Sequence, residues 1–412
     1  MGLDFLRGAG ATLVSEAVGR GAAMGFQLLV ANQLGADRFG LVALALASAA
    51  LLSPLADTGL PNLALRTVSA DPDDSFLARR LLGLKVLATP LFLLPLVVWS
   101  LLAGDREERG WTLLWAGAFY GFQASSDLLR QILRARQQAG RELVARLAYP
   151  LGNLASLAAV WHLKPGPSGA LLALASGPAA LTLAYVLALP SGERAPAVDR
   201  SALELASTHR RTLVQSVLYL FAVGFASRVD AFLLERWANR EEVGRYFASL
   251  NLVMAGGFFA QGMSSYLYPR LHRQKARLGR ALARAVGLQM LMGAALGAGA
   301  ALVGPILFQM VFREKGFHGA ESLLPGMGAM LFLTTMDWLW LSILIGKDRI
   351  WIAALVLVPS LVAKVLLGAW WIPSAGAAGM VHAALAAQLV GGGLGAWCAV
   401  RAYLKESSPR AG

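Results

Sequence analysis

Residues 81–102 read LLGLKVLATPLFLLPLVVWSLL, and this stretch decides the fold class. As a helix it is long enough to cross the roughly 30 Å hydrocarbon core of a bilayer. The whole chain has 412 residues, of which 57% are hydrophobic and 15% are charged, and its mean hydropathy is +0.56. A soluble domain needs more polar surface than this composition provides. The sequence therefore predicts a protein that spans a membrane.

Apolar blocks of similar length recur along the chain, and we predict about a dozen transmembrane helices from them. The first block carries Glu16 and Arg20 and no small-residue cleavage site, so we expect a membrane span rather than a cleaved signal peptide. The fifth block is the weakest, because Arg146 falls near its start and Pro150 follows. The predicted spans are 10–32, 39–60, 81–102, 111–133, 143–163, 168–189, 213–234, 243–267, 282–303, 323–345, 350–371 and 376–399.

The net charge of +13 is unevenly distributed along the chain, and this distribution indicates how the chain is oriented in the membrane. Lys and Arg exceed Asp and Glu in the segments predicted to be cytoplasmic, whereas the predicted outer loops are balanced. The positive-inside rule then places both termini in the cytoplasm. This excess of basic residues gives no reason to expect nucleic acid as a partner. Some of the cytoplasmic arginines could still bind anionic lipid or a phosphate of the substrate. Tryptophans at predicted outer ends agree with this orientation: Trp99, Trp111, Trp161, Trp237, Trp370 and Trp371.

The polar connection at residues 190–211 divides the spans into two groups of six, and we predict two lobes, residues 1–195 and 196–412. A weak internal repeat supports this division. Residues 37–42 read DRFGLV and residues 241–246 read EEVGRY, with Gly40 and Gly244 separated by 204 positions. The sequence therefore predicts an all-α polytopic membrane protein with two pseudo-symmetric six-helix lobes around a central cavity, the architecture that alternating access needs.

Charged side chains at membrane depth are costly and usually face a cavity or a partner. On the first span, Glu16, Arg20 and Gln27 project from one helix face. Arg20, Arg228 and Lys364 come from both lobes, and together they would form a cationic patch suited to phosphate or pyrophosphate. The alternative is internal pairing, of Arg20 with Glu16 and of Lys364 with a carboxylate. The sequence leaves both interpretations open.

Acidic side chains at membrane depth are candidates for H⁺ or Na⁺ coupling, and these are Glu16, Asp230 and Asp337. Asp57 and Asp127 lie near the predicted cytoplasmic ends of their spans. We interpret both mainly as solvated or locally paired residues.

Several function classes find no support in the sequence. Cys398 is the only cysteine, so intramolecular disulfides and cysteine-based metal sites are excluded. The chain has no P-loop, no HExxH motif and no nucleophile elbow. We therefore predict that it is not an enzyme and needs no metal or organic cofactor.

Short motifs in both halves resemble the bacterial polysaccharide and O-antigen flippases, which belong to the multidrug/oligosaccharidyl-lipid/polysaccharide exporter superfamily. The topology agrees from end to end. The matching stretches are residues 34–40 (LGADRFG), 55–60 (LADTGL), 65–66 (LR), 228–234 (RVDAFLL), 242–246 (EVGRY) and 268–271 (YPRL).

This resemblance implies two six-helix lobes around a cavity that opens alternately to each side of the bacterial inner membrane. It also implies a substrate, an oligosaccharide on undecaprenyl pyrophosphate that moves from the cytoplasmic to the outer leaflet for cell-surface polysaccharide assembly. Glycan polymerases and other assembly proteins are the partners it suggests. Cavity side chains would bind the sugar pyrophosphate, and our candidates are Arg20, Arg228, Lys364, Gln27 and Arg66.

Three alternatives remain at this point. A drug or organic-cation antiporter of the same superfamily would use acidic cavity residues such as Glu16 and Asp230, and the three membrane cations argue against it. A membrane glycan polymerase or ligase would need larger outer loops than this chain has. A scaffold in a glycan-assembly complex would bind its partners without moving lipid-linked glycan.

Overall fold

The computed structural model describes residue 21 and residues 23–102, 108–163, 166–273, 278–312, 316–346 and 350–407. Over this part of the chain the backbone is almost wholly α-helical and contains no β-strand. The all-α fold class predicted from the apolar blocks is confirmed.

Every predicted span, as far as it is described, coincides with a helix, and shorter helices lie in the connections. In chain order the helices are α1 (residues 23–34), α2 (Ala36–Asp57), α3 (Leu60–Ala70), α4 (Ser75–Leu102), α5 (Glu108–Ala135), α6 (Ala139–Arg146), α7 (Ala148–Leu163), α8 (Pro167–Ala188), α9 (Arg200–Thr208), α10 (Arg210–Trp237), α11 (Arg240–Arg273), α12 (Leu278–Leu302), α13 (Gly304–Val311), α14 (Leu324–Gly346) and α15 (Ile350–Ser407).

Six helical stretches of the described chain are long and apolar enough to cross a membrane, judged by length and composition alone. The last of them contains both the eleventh and the twelfth predicted spans, so the six stretches cover seven predicted crossings. They are Ala36–Ala70, Ser75–Leu102, Pro167–Ala188, Arg210–Trp237, Ala283–Leu302 and Trp351–Ala402.

Helix α2 ends at Asp57 because the next two residues leave the helical conformation, with φ of 52° at Thr58 and 74° at Gly59. The Asp57 carboxylate accepts a hydrogen bond from the backbone N–H of Gly59 at 3.0 Å. Pro61 follows in the first turn of α3, where its fixed φ is favourable. The LADTGL motif of residues 55–60 therefore forms a tight turn between two helices.

Helix α15 is bent at Gly376, where φ is 54° and ψ is −130°. Glu242 of α11 fixes this bend. Its Oε2 accepts a hydrogen bond from the backbone N–H of Ala377 at 2.7 Å and so caps the helix that starts after the bend. Its Oε1 accepts a hydrogen bond from Arg245 Nη1 at 2.8 Å. The bend separates the eleventh predicted span from the twelfth.

The chain forms two compact units, and the first comprises the described residues of Met1–Val30 together with Leu41–Gly224. Helix α5 is central to this unit, because it packs against α3, α4, α6 and α8. The core between these helices is apolar, and its fully buried side chains include Leu63, Leu81, Leu128, Ile132 and Tyr185.

The polar connection between the two predicted lobes is held against the first unit. Arg136 and Glu193 form a buried ion pair, and the backbone N–H of Ala197 donates to the carbonyl oxygen of Arg79 at 2.9 Å. A side chain at Gly83 would overlap the carbonyl oxygen of Ala197, so the connection lies directly on the α4 backbone. The lobe boundary between residues 195 and 196 is predicted from the two groups of six spans. The contacts of the connection do not test this boundary, and it stays a prediction.

The second unit comprises Ala31–Gly40 together with Phe225–Gly412, as far as these residues are described. Helix α12 packs on α14 through Gly297 and Gly328, because a Cβ on either glycine would overlap the carbonyl oxygen of the other. Gly293 contacts the Thr335 side chain in the same interface. Small residues at four-residue spacing thus allow close helix packing, as expected for membrane helices.

The repeated motif of the sequence forms a reciprocal contact within the second unit. A Cβ on Gly40 of α2 would overlap the carbonyl oxygen of Arg240, and a Cβ on Gly244 of α11 would overlap that of Ala36. Ala36 and Arg240 are 204 positions apart, as are the two glycines. The two copies of the sequence motif therefore contact each other directly, each through its glycine and a backbone carbonyl of the other.

Candidate functional site

A buried ion pair connects α10 and α15 in the second unit. Lys364 Nζ lies 2.8 Å from Asp230 Oδ1 and also donates to the carbonyl oxygen of Ala226 at 2.7 Å. The Tyr246 hydroxyl donates to the other carboxylate oxygen, Asp230 Oδ2, at 2.6 Å. Asp230 is 3% exposed and Lys364 is 8% exposed. Both carboxylate oxygens thus have partners, as a buried charge requires.

The sequence left open whether Lys364 faces a cleft or pairs with a carboxylate, and in this structure it pairs with Asp230. Arg228 lies half-buried on α10, two residues before Asp230. Because residues two apart on a helix point in different directions, Arg228 and Asp230 lie on different faces of α10. The substrate-binding roles of Arg228 and Lys364 and the ion-coupling role of Asp230 stay predictions.

Asp337 has a different environment from Asp230. It lies half-buried on α14 beside Gly392 of α15, where a Cβ would come within 2.8 Å of Asp337 Oδ1. One turn earlier, Gln388 Nε2 donates to Thr334 Oγ1 at 2.8 Å, and Gln388 Oε1 is buried without a hydrogen-bond partner in the described chain. A half-buried carboxyl beside amide and hydroxyl oxygens suits a proton or a small cation.

The remaining predicted site residues lie elsewhere or outside the described chain. Gln27 is half-buried on α1, and Arg66 is exposed on α3. Glu16 and Arg20 lie outside the described residues. The roles assigned to these four residues stay predictions.

A polar face on α5 of the first unit was not predicted as a site. Tyr120, Gln123, Asp127 and Arg130 follow one another at spacings of three, four and three residues, which places them on one side of the helix. Arg130 Nη2 lies 2.7 Å from Asp127 Oδ1, and Gln123 Nε2 donates to Asp127 Oδ2 at 3.3 Å. All four side chains are partly exposed. We call these four residues the α5 polar face.

Two further charges lie beside the α5 polar face. Asp57 and Lys85 both interact electrostatically with Asp127 and with each other. Lys85 is 7% exposed, and its Nζ donates to the carbonyl oxygen of Ala56. Tyr149 of α7 also lies within electrostatic reach of Asp127. The interpretation of Asp57 and Asp127 as locally paired residues agrees with these contacts.

Lys85 is a further residue that the sequence did not single out. It falls inside the third predicted span, four positions after its start, where a lysine is usually interpreted as an orientation charge. The signal that identifies it is a lone cation within an otherwise apolar span. Only the neighbouring helices show that its ammonium is buried and donates to the carbonyl oxygen of Ala56, the residue before Asp57.

The polar groups of both units can bind charges and hydroxyl groups. Among the described residues, no three His, Cys, Asp or Glu side chains are grouped as metal ligands. The arrangement therefore supports recognition of a polar ligand within the membrane through charged and hydrogen-bonding side chains.

A family model described as polysaccharide biosynthesis protein matches residues 5–275, which is about two thirds of the chain. A search of curated protein sequences gives no significant match.

Solved structures share the fold at low sequence identity. The lipid II flippase MurJ in an inward closed conformation is 12% identical, with a TM-score of 0.69 over 96% of this chain and 89% of that chain. An inward-facing multidrug resistance MATE family transporter of the MOP superfamily is 15% identical, with a TM-score of 0.68 over 95% and 96%. A MOP superfamily transporter from Pyrococcus furiosus, described as having a binding pocket of reverse polarity, is 14% identical, with a TM-score of 0.59 over 98% and 97%. These similarities show that the chain has the fold of membrane transporters and flippases.

Proposed function

Because the chain belongs to the polysaccharide biosynthesis protein family, we propose that it is a flippase for lipid-linked oligosaccharide. It moves an undecaprenyl-pyrophosphate-linked glycan from the cytoplasmic to the outer leaflet of the bacterial inner membrane by alternating access. Both of its termini lie in the cytoplasm, and glycan polymerases or other assembly proteins receive its product. The protein transports this substrate without chemical change.

The family match over residues 5–275 is the observation that carries this proposal. The fold supports it, since a lipid II flippase has the same fold over 96% of this chain. The energetic cost of moving this substrate through a bilayer also supports the proposal. A pyrophosphate and several sugars cannot cross hydrocarbon unaided, because each unsatisfied polar group costs several kcal/mol there. Charged side chains at membrane depth replace the lost hydration.

Drug antiport is the second candidate, since MATE family transporters share the fold. An organic cation needs an acidic residue with an available negative charge. The Asp230 carboxylate is neutralised by Lys364 at 2.8 Å, so it offers no net charge to a cationic drug. The ion pair therefore removes Asp230 from the acidic residues that such an antiporter would use, and it occupies Lys364 equally.

Deletion of the gene tests the proposal in cells. We expect undecaprenyl-linked glycan to accumulate in the cytoplasmic leaflet, and the intact chain to reverse this accumulation. Unchanged lipid-linked glycan combined with increased sensitivity to cationic drugs would contradict the proposal and favour the antiporter.

Arg228→Ala is expected to reduce translocation at least tenfold while the chain still inserts into the membrane. The physical reason is the loss of a guanidinium that pairs with phosphate oxygens in two-point geometry. The measurement is the leaflet distribution of lipid-linked glycan in cells that express the variant, with its membrane level determined in parallel. Arg20→Ala is expected to give the same result, and full activity of both variants would remove the cationic-patch proposal.

Asp337→Asn is expected to abolish the dependence of translocation on a proton or sodium gradient. Asparagine keeps the shape of the side chain but cannot take up a proton or carry a charge. The measurement is glycan translocation in vesicles with an imposed pH or Na⁺ gradient. Glu241→Gln is the control, since Glu241 already has Arg245 as its counter-charge at 2.6 Å and is assigned no role in substrate binding. A gradient response in Asp337→Asn equal to that of the unchanged chain would exclude Asp337 as the coupling residue.

A further inference from the structure

The predicted span 111–133 places the α5 polar face within the membrane. Tyr120 and Gln123 fall near the middle of the predicted span 111–133, and Asp127 and Arg130 fall towards its predicted cytoplasmic end. All four side chains remain partly exposed, and the ion-paired groups Asp127 and Arg130 are 28% and 16% exposed. Polar side chains at this depth avoid lipid and face water-filled space or a partner. The face is therefore accessible to a polar ligand.

The charges at this face cancel. Asp57 and Asp127 contribute two negative charges, and Lys85 and Arg130 contribute two positive ones. Lys85 is 7% exposed, and Arg130 is bound to Asp127, so neither cation is presented alone. A pyrophosphate needs unpaired cations or several convergent donors. This face does not offer that chemistry.

The same side chains suit a sugar. A carbohydrate hydroxyl both donates and accepts hydrogen bonds, so it needs carboxylate or amide acceptors beside amide or guanidinium donors. Asp127 and Gln123 supply acceptors, and Gln123 and Arg130 supply donors. Tyr120 adds a ring against which the apolar face of a sugar packs, together with a hydroxyl.

We infer that the α5 polar face is a glycan-binding subsite, in which Tyr120, Gln123, Asp127 and Arg130 bind sugar hydroxyls of the translocated lipid. This inference rests on the proposed function and deepens it. Recognition is divided: the first unit binds neutral sugar residues through α5, and the pyrophosphate is bound by other side chains. The glycan then contributes to selectivity as well as the lipid carrier.

Binding to two lipids tests the inference. The purified chain in lipid nanodiscs is titrated with the lipid-linked oligosaccharide pool extracted from the producing bacterium, and separately with bare undecaprenyl pyrophosphate. Gln123→Leu and Asp127→Asn are each expected to weaken binding of the glycan-bearing lipid about tenfold, because each removes hydrogen bonds to hydroxyls. Binding of bare undecaprenyl pyrophosphate is expected to stay within twofold of the unchanged chain.

Ser125→Ala is the matched control. Ser125 lies on the opposite side of α5, where its hydroxyl donates to the carbonyl oxygen of Gly121 at 2.8 Å, and the variant is expected to bind both lipids normally. Tyr120→Phe gives a further variant that retains the ring, with an expected loss of a fewfold for the glycan-bearing lipid only.

Two outcomes would overturn the inference. If the variants lose affinity for both lipids equally, these residues either maintain the protein structure or bind the lipid carrier, and they do not bind the glycan. Tighter binding of bare undecaprenyl pyrophosphate by Asp127→Asn would identify a phosphate site, since this variant leaves one net positive charge. Failure of the proposed function is a separate result, because the unchanged chain would then bind neither lipid.

Discussion

Gly244→Ala is expected to destabilise the folded chain by about 3 kcal/mol or more, because it places a methyl group onto a backbone carbonyl. The added Cβ would overlap the carbonyl oxygen of Ala36, and a peptide group cannot rotate away as a side chain can. Helices α2 and α11 would have to separate at this point. The reciprocal variant Gly40→Ala meets Arg240 in the same way. The measurement is the thermal unfolding midpoint of the purified chain in detergent.

Gly299→Ala on α12 is the matched control, since a Cβ there has no described atom within 4 Å. Alanine favours a helix over glycine by roughly 1 kcal/mol, so the control is expected to be neutral or stabilising. The two substitutions are chemically identical and have opposite expected signs. Equal unfolding midpoints for Gly244→Ala and Gly299→Ala would contradict the close contact between α2 and α11.

Lys364→Met is expected to cost about 3–5 kcal/mol of stability, because it leaves the buried Asp230 carboxylate without its counter-charge. The double variant Asp230→Asn/Lys364→Met is expected to recover most of this loss, since both buried charges are then absent. The measurement is again the unfolding midpoint in detergent, for each single variant and for the double variant. The pair's coupling energy follows from this cycle.

Glu241→Gln provides the control for the ion pair. Glu241 Oε1 lies 2.6 Å from Arg245 Nη2, but these side chains are 42% and 28% exposed. Exposed ion pairs contribute at most about 1 kcal/mol, so a small effect is expected. If the double variant is as unstable as Lys364→Met alone, Asp230 and Lys364 are not coupled and the pairing is wrong.

The features that are local in sequence could be predicted. Apolar blocks of about 20 residues predicted the helices, because hydrocarbon thickness sets their length. The repeated motif around Gly40 and Gly244 is visible in the sequence, and its two copies contact each other in the structure. The turn at residues 55–60 was part of a recognised motif, whereas its positive φ values became known only from the structure.

The features that depend on helix rotation could not be predicted. Asp230 and Lys364 are 134 positions apart, and nothing local indicates which carboxylate faces the lysine. The cap formed by Glu242 on Ala377 spans 135 positions. The sequence shows residues 190–211 only as a polar connection, and the ion pair that holds its first part joins Arg136 and Glu193, which are 57 positions apart. Such contacts arise from packing between distant helices, which the hydrophobic pattern leaves undetermined.

We propose that this chain moves lipid-linked oligosaccharide across a bilayer. The most direct measurement places the purified chain in sealed vesicles that contain the lipid-linked oligosaccharide pool of the producing bacterium, and follows its accessibility to an added glycan-cleaving enzyme. We expect the intact chain to expose the protected glycan at least tenfold faster than protein-free vesicles do, and Arg228→Ala not to do so. Equal rates in vesicles with and without the intact chain would contradict the proposed flippase function.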